Sequence, residues 1–95
     1  MTGNVVRKRL VFSGLVQGVG FRWRACRAAE AVRATGWVRN DWCGTVTMEL
    51  QGTETQIESV LAAIGRGTYI RIEGVEVRRI PIEENERGFA YADGS

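Results

Sequence analysis

The chain has 95 residues, 44% of them hydrophobic and 25% charged, a balance that excludes a disordered polypeptide and fits one small domain over 1–95. The net charge of +2 conceals an asymmetry: residues 1–40 carry eight cations against Glu30 alone, whereas residues 41–95 carry five arginines against ten acids. No apolar run approaches the ~20 residues of a membrane span and no basic-then-apolar leader opens the sequence, so a cytoplasmic protein without membrane contact is expected.

Along the chain, "RKRLVFS" (Arg7–Ser13) has the β-branched and aromatic content of a strand, and "GLVQGVGFR" (Gly14–Arg22) cuts it off. A helix is expected next, because Phe21, Ala25, Ala28, Ala29 and Val32 share one helical face, with Gly36 placed to end it. Trp37 to Arg39 is a short extended stretch, and "NDWCG" reads as a hairpin turn with Gly44 at positive φ. "TVTMELQ" alternates, with Val46, Met48 and Leu50 on one face, and predicts a half-buried strand. Thr55 and Glu58 offer a capping box for a second helix, and Thr53 and Gln56 offer the same spacing. Ile57, Val60, Leu61 and Ile64 form that helix's apolar face, with Gly65 at its end. A strand begins at Val75 and Val77, and its broken alternation at Arg78 and Arg79 predicts a bulge or an early end. Phe89 and Tyr91 predict a last short strand, with a frayed tail after it. The order is that of two strand–helix–strand units, which predicts an α+β, ferredoxin-like two-layer sandwich (βαββαβ): an antiparallel sheet with both helices on one face and a core over about 7–91.

This order places the glycine loop between the first strand and the first helix. Unpaired N–H groups and the positive end of a helix dipole favour an anion there. Glycines free the backbone so that successive N–H groups can face one point, and Arg22 can fork onto a phosphate. Taken alone, the stretch also reads as a tight turn followed by an exposed arginine. The rest of the inventory narrows the chemistry. No Walker loop is present, and Gly18 and Gly20 begin a dinucleotide fingerprint that fails at Trp23. Without histidine there is no phosphohistidine, no serine–histidine pair and no zinc set, and Asp41 stands apart from other acids. No metal site is therefore expected. Cys26 and Cys43 read as free thiols. A hydrolase lacking a general acid suits a leaving group that departs as an anion, and a carboxylate, with a conjugate-acid pKa of about 4, does so. The mixed anhydride of a carboxylic acid and phosphate fits that requirement.

Two stretches carry a family resemblance. Gly14, Val16, Gln17, Gly18, Val19, Phe21 and Arg22 match G-x-V-Q-G-V-x-F-R throughout. Gly36, Trp37, Val38, Asn40, Gly44, Val46 and Gly52 match a second signature, G-[FW]-V-x-N-x-x-x-G-x-V with a distal glycine. Together they resemble the two motifs of the acylphosphatases. The resemblance implies hydrolysis of small acyl phosphates to carboxylate and inorganic phosphate without metal or cofactor. It implies that Arg22 binds the phosphoryl group with the backbone amides of Gln17, Gly18, Val19, Gly20 and Phe21, and that Asn40 orients the attacking water. Cys43, where relatives often have aspartate, and Phe12, where an aliphatic residue is commoner, depart from the pattern. A non-catalytic phosphate-binding module of the same fold is the alternative. Nucleic acid is not expected as a partner, since the strands lack the basic-aromatic motif that such sheets use. A monomer is expected.

Overall fold

The computed structural model describes residues 3–92. Five strands and two helices follow one another as β1 (Val5–Leu15), α1 (Phe21–Val32), β2 (Thr35–Asn40), β3 (Val46–Thr53), α2 (Glu54–Gly65), β4 (Arg71–Ile80) and β5 (Phe89–Tyr91). The sheet order is β4-β1-β3-β2-β5. The four longer strands pair antiparallel, as expected of the ferredoxin-like arrangement, and β5 then joins β2 in parallel, which makes the sheet mixed. Ala92 still donates its N–H to Val38 O at 2.8 Å. The rest of the tail expected to fray after Tyr91, residues 93–95, lies outside the described residues.

The core forms because the strands are in register with their apolar positions on one face. Leu10 lies opposite Met48, Phe12 opposite Val46, and Val38 opposite Met48 from the other side. Helix α1 adds Phe21, Ala25 and Ala29, and α2 adds Ile57, Val60 and Ile64, all buried. Each large side chain in this layer contributes about 1.5–3 kcal/mol on leaving water. Phe12, the departure from the commoner aliphatic residue, meets Phe21 edge to face with centroids 4.8 Å apart, joining β1 to the start of α1.

Several local expectations are corrected. Helix α1 does not run to Gly36: Arg33 adopts the left-handed conformation (φ 62°), and the N–H of Ala34 returns to Ala29 O, closing a Schellman motif three residues earlier. Gly36 instead lies inside β2 at φ 142°, where a Cβ would stand 1.9 Å from Glu49 O. Its glycine is required by strand approach and not by a helix end. The capping box of α2 is Thr53 with Gln56, so the Thr55–Glu58 spacing is the unused alternative. Strand β4 passes straight through Arg78 and Arg79. The sheet's irregularity lies between Ser13 and Gly14, where β4 carries the extra residue. Alternation fails as a signal in β4 because it is an edge strand, exposed along nearly all its length.

The other face of the sheet carries a polar cross-brace. From the end of β4 the chain must reach the opposite edge of the sheet, and it does so over the face away from the helices. Glu83 exchanges backbone bonds with the side chain of Gln51, at 2.9 and 3.1 Å. Arg7, only 1% exposed, donates to both carboxylate oxygens of Glu86 at 2.7 and 3.1 Å, and its Nε donates to Glu49 at 3.0 Å. Burial works against the charge of Arg7, but Glu86 and Glu49 outweigh it and hold the guanidinium above its ordinary value. Arg7→Ala leaves two carboxylates without their shared cation. We expect a loss of about 3 kcal/mol, the lower end for a buried pair because Glu49 and Glu86 keep some water, and a fall in Tm of about 12 °C or more. Thermal unfolding followed by circular dichroism checks this, and a fall under about 3 °C contradicts it.

Candidate active site

The segment between β1 and α1 cannot continue either element. Gly18 (φ 73°) and Gly20 (φ 83°) both occupy the left-handed region, and a Cβ at either would meet nothing within 4 Å. Glycine is needed there for its conformation alone. From Gln17 to Arg22 no backbone N–H donates to a protein acceptor among the described residues, and the N-cap of α1, Gly20, provides no side-chain cap. Four residues of this segment, Gly18, Gly20, Phe21 and Arg22, line a cavity of about 120 Å³ together with Val16, Trp23, Asn40 and Tyr91.

Five of the seven residues expected to form the site therefore meet around one space: Gly18, Gly20, Phe21, Arg22 and Asn40. Gln17 and Val19 do not line it. The side chain of Gln17 turns away and donates from Nε2 to the carbonyls of Asp41 (2.6 Å) and Thr45 (2.9 Å). This fastens the glycine loop to the β2–β3 turn. Val19 stands half-buried at the loop's crest.

Arg22 is half-buried and forms no ion pair among the described residues, whereas Arg7, Lys8, Arg9 and Arg39 all do. Its guanidinium carbon lies 5.0 Å from the ring centroid of Tyr91, so an aromatic face holds the cation without neutralising it. Tyr91 is a site residue that sequence reasoning missed. It arrives through β5, whose pairing with β2 no local pattern announces. Val16, 1% exposed, is the cavity's apolar floor. Trp23 borders the mouth with Arg27 over its ring, while Trp42, 90% exposed at the turn, lies outside the lining.

Asn40 ends β2 opposite Val46. Its Oδ1 is buried and has no hydrogen-bond partner, the one such side-chain atom among the described residues. An unpaired buried acceptor costs about 1–3 kcal/mol, so its retention beside the cavity points to a donor in the working complex.

Beside it, Asp41 is 8% exposed and forms a hub. Its Oδ2 accepts from the hydroxyls of Thr45 (2.7 Å) and Thr47 (2.6 Å), and its Oδ1 accepts from Arg39 Nε (2.9 Å). Burial raises its pKa, but the bonds from Thr47, Thr45 and Arg39 prevail and hold the carboxyl below its ordinary value. Gly44, at φ 105°, turns the chain, and the exposed Cys43 lies 3.4 Å from the hydroxyl of Thr45. Both cysteines are free thiols.

The comparisons with known proteins identify the family and the fold. The acylphosphatase family model matches residues 8–91. An acylphosphatase of Bifidobacterium longum is 37% identical over 90 residues, covering 93% of each chain. The crystal structure of acylphosphatase from Bacillus subtilis superposes with a TM-score of 0.83 at 27% identity, covering 92% of this chain and 98% of that one. A structure of an acylphosphatase from Coxiella burnetii gives the same TM-score at 28% identity over 94% of both chains. With both motifs, the fold and the family model in agreement, the chain belongs to the acylphosphatase family, whose activity is the hydrolysis of acyl phosphates.

Proposed function

We propose that the cavity holds the phosphoryl group of a small acyl phosphate and that Asn40 aims a water molecule at its phosphorus. One observation carries this reading. Gly18, Gly20, Phe21 and Arg22, whose N–H groups and guanidinium have no protein acceptor among the described residues, line the same small cavity as Asn40, whose buried Oδ1 has no donor there. The first set suits an anion and the second suits a water.

In this reading Arg22 forks onto two phosphoryl oxygens. The amides of Gln17, Gly18, Val19, Gly20 and Phe21 surround the third, aided by the dipole of α1. Gln17 and Val19 act through their backbone alone. Asn40 Oδ1 accepts one O–H of the water and leaves the oxygen lone pair toward phosphorus. The water oxygen bonds to phosphorus as the phosphorus–oxygen bond to the acyl group breaks, and its second proton passes to a phosphoryl oxygen. The products are a carboxylate and dihydrogen phosphate. A loose transition state asks mainly for positioning and charge stabilisation, which a guanidinium and fixed amides provide. No protein acid is required, since the carboxylate leaves unprotonated, and no protein base, since a phosphoryl oxygen takes the water's proton. The acyl group lies toward Trp23 and Tyr91 at the mouth.

The working unit in this reading is a monomer. Nucleic acid is not a partner, a view supported by the acidic strap over the open sheet face. No helix of the described residues is long and apolar enough to cross a membrane. A cytoplasmic location is supported by the two free thiols.

Steady-state hydrolysis of benzoyl phosphate tests the roles. Arg22→Ala is expected to lower kcat/KM by about 10²-fold or more, and Asn40→Ala to lower kcat by about 10²-fold while competitive inhibition by inorganic phosphate is unchanged. Wild-type kcat in a folded Asn40→Ala variant contradicts the water-positioning role. The pH–rate profile follows from the same chemistry. With no histidine in the chain and Asp41 held ionised, kcat stays flat between about pH 5 and 8. A bell with an enzyme pKa near neutrality contradicts proton transfer to the phosphate.

A further inference from the structure

Among the described residues nothing holds Asn40 Oδ1, so the aim of that atom depends on the backbone that carries it. On one side this backbone is fixed by strand pairing, Asn40 opposite Val46. On the other side it enters the turn at once, and there Asp41 makes most of the stabilising bonds. Its N–H donates to Thr45 O at 2.8 Å, and its carbonyl accepts from Gly44 N at 3.0 Å and from Gln17 Nε2 at 2.6 Å. Its carboxylate reaches back over the sheet to Thr47, Thr45 and Arg39, and Arg39 and Thr47 are themselves register partners across β2 and β3. One buried residue thus ties the end of β2 to the start of β3 through its carboxylate and holds the anchor of the glycine loop on its carbonyl.

We infer that Asp41 is a positioning residue for the reaction, setting the direction of Asn40 toward the phosphoryl group and, through its carbonyl, the distance between the glycine loop and Asn40. A carboxylate suits this task better than an amide or a hydroxyl. It accepts from two hydroxyls and a guanidinium at once without needing a donor orientation of its own. Arg39 from β2 and the thiol of Cys43 in the turn are the titratable neighbours that face it. The inference rests on the reading of Asn40 as the group that orients the water.

The experiment is a double-mutant cycle on kcat for benzoyl phosphate at 25 °C with wild type, Asp41→Ala, Asn40→Ala and the double variant, each confirmed folded by near-ultraviolet circular dichroism. A slight misplacement of a positioned group costs on the order of tenfold or more, so Asp41→Ala is expected to lower kcat by about that factor in the wild-type background. In the Asn40→Ala background, where no aimed amide remains, the same change is expected to alter kcat by less than about twofold. Equal losses in both backgrounds show a general loss of folded enzyme and overturn the inference, while the role of Asn40 stands. Wild-type kcat in Asp41→Ala overturns it as well. Wild-type kcat in Asn40→Ala removes the water-positioning reading itself, and this inference with it. If Asp41→Ala does not fold, Thr47→Val removes one of the three bonds and enters the same cycle, with a smaller loss that again vanishes without Asn40.

Discussion

Two hydrogen bonds from one side chain set the geometry on which the site depends. Gln17 Nε2 binds the carbonyls of Asp41 and Thr45, and so fixes the loop after β1 to the turn after β2. A loop with a run of unpaired N–H groups tends to fold onto any nearby acceptor, because each unmade bond costs free energy. Here the loop is fastened from outside, and its N–H groups keep no protein acceptor among the described residues. The cost of organising those donors is met in folding, so none falls on the moment of reaction, which is the physical content of electrostatic preorganisation. The same two bonds bring Arg22 and Asn40, eighteen residues apart in the chain, to one cavity.

Two arginines show how differently the fold uses the same side chain. Arg7 is buried and fully engaged by Glu49, Gln51 and Glu86, and its work is to hold the strap that carries the chain across the open face of the sheet. The strap delivers β5 to the far edge, and β5 delivers Tyr91 to Arg22. Arg22 has an aromatic face beside it and no ion pair among the described residues, so its positive charge stays available to an anion. A carboxylate in place of Tyr91 would hold the guanidinium as firmly and neutralise it. The open face of the sheet, away from the reaction, thus contributes to the site through topology.

Much of this was legible in the sequence, and the boundary between legible and hidden is physical. Strands and helices with one buried face announce themselves by period, as β3 and α2 do. The glycine loop is legible because left-handed backbone and a following helix start leave a specific residue signature. β4 is an edge strand exposed on both faces, so burial imposes no alternation on it, and the expected bulge at Arg78 and Arg79 had no cause there. Gly36 was misread as a helix end because sequence does not distinguish a glycine demanded by positive φ after a helix from one demanded by the carbonyl of Glu49 on a neighbouring strand. Tyr91 and the Asp41 hub were hidden for a different reason. Their partners lie on other strands, and only sheet order and register bring them together. The amide of Gln17 was expected to contribute through its backbone, and its side chain proved to be the tie between the two motifs.

The receptor role of the loop amides is tested most directly by an amide-detected NMR titration of the wild-type protein with inorganic phosphate. Saturable shifts confined to the amides of Gln17 through Arg22 and to Asn40, and lost in Arg22→Ala, are the expected result. Shifts centred elsewhere on the sheet or along the basic helix α1, with the loop amides unmoved, would contradict the placement of the phosphoryl group in this cavity.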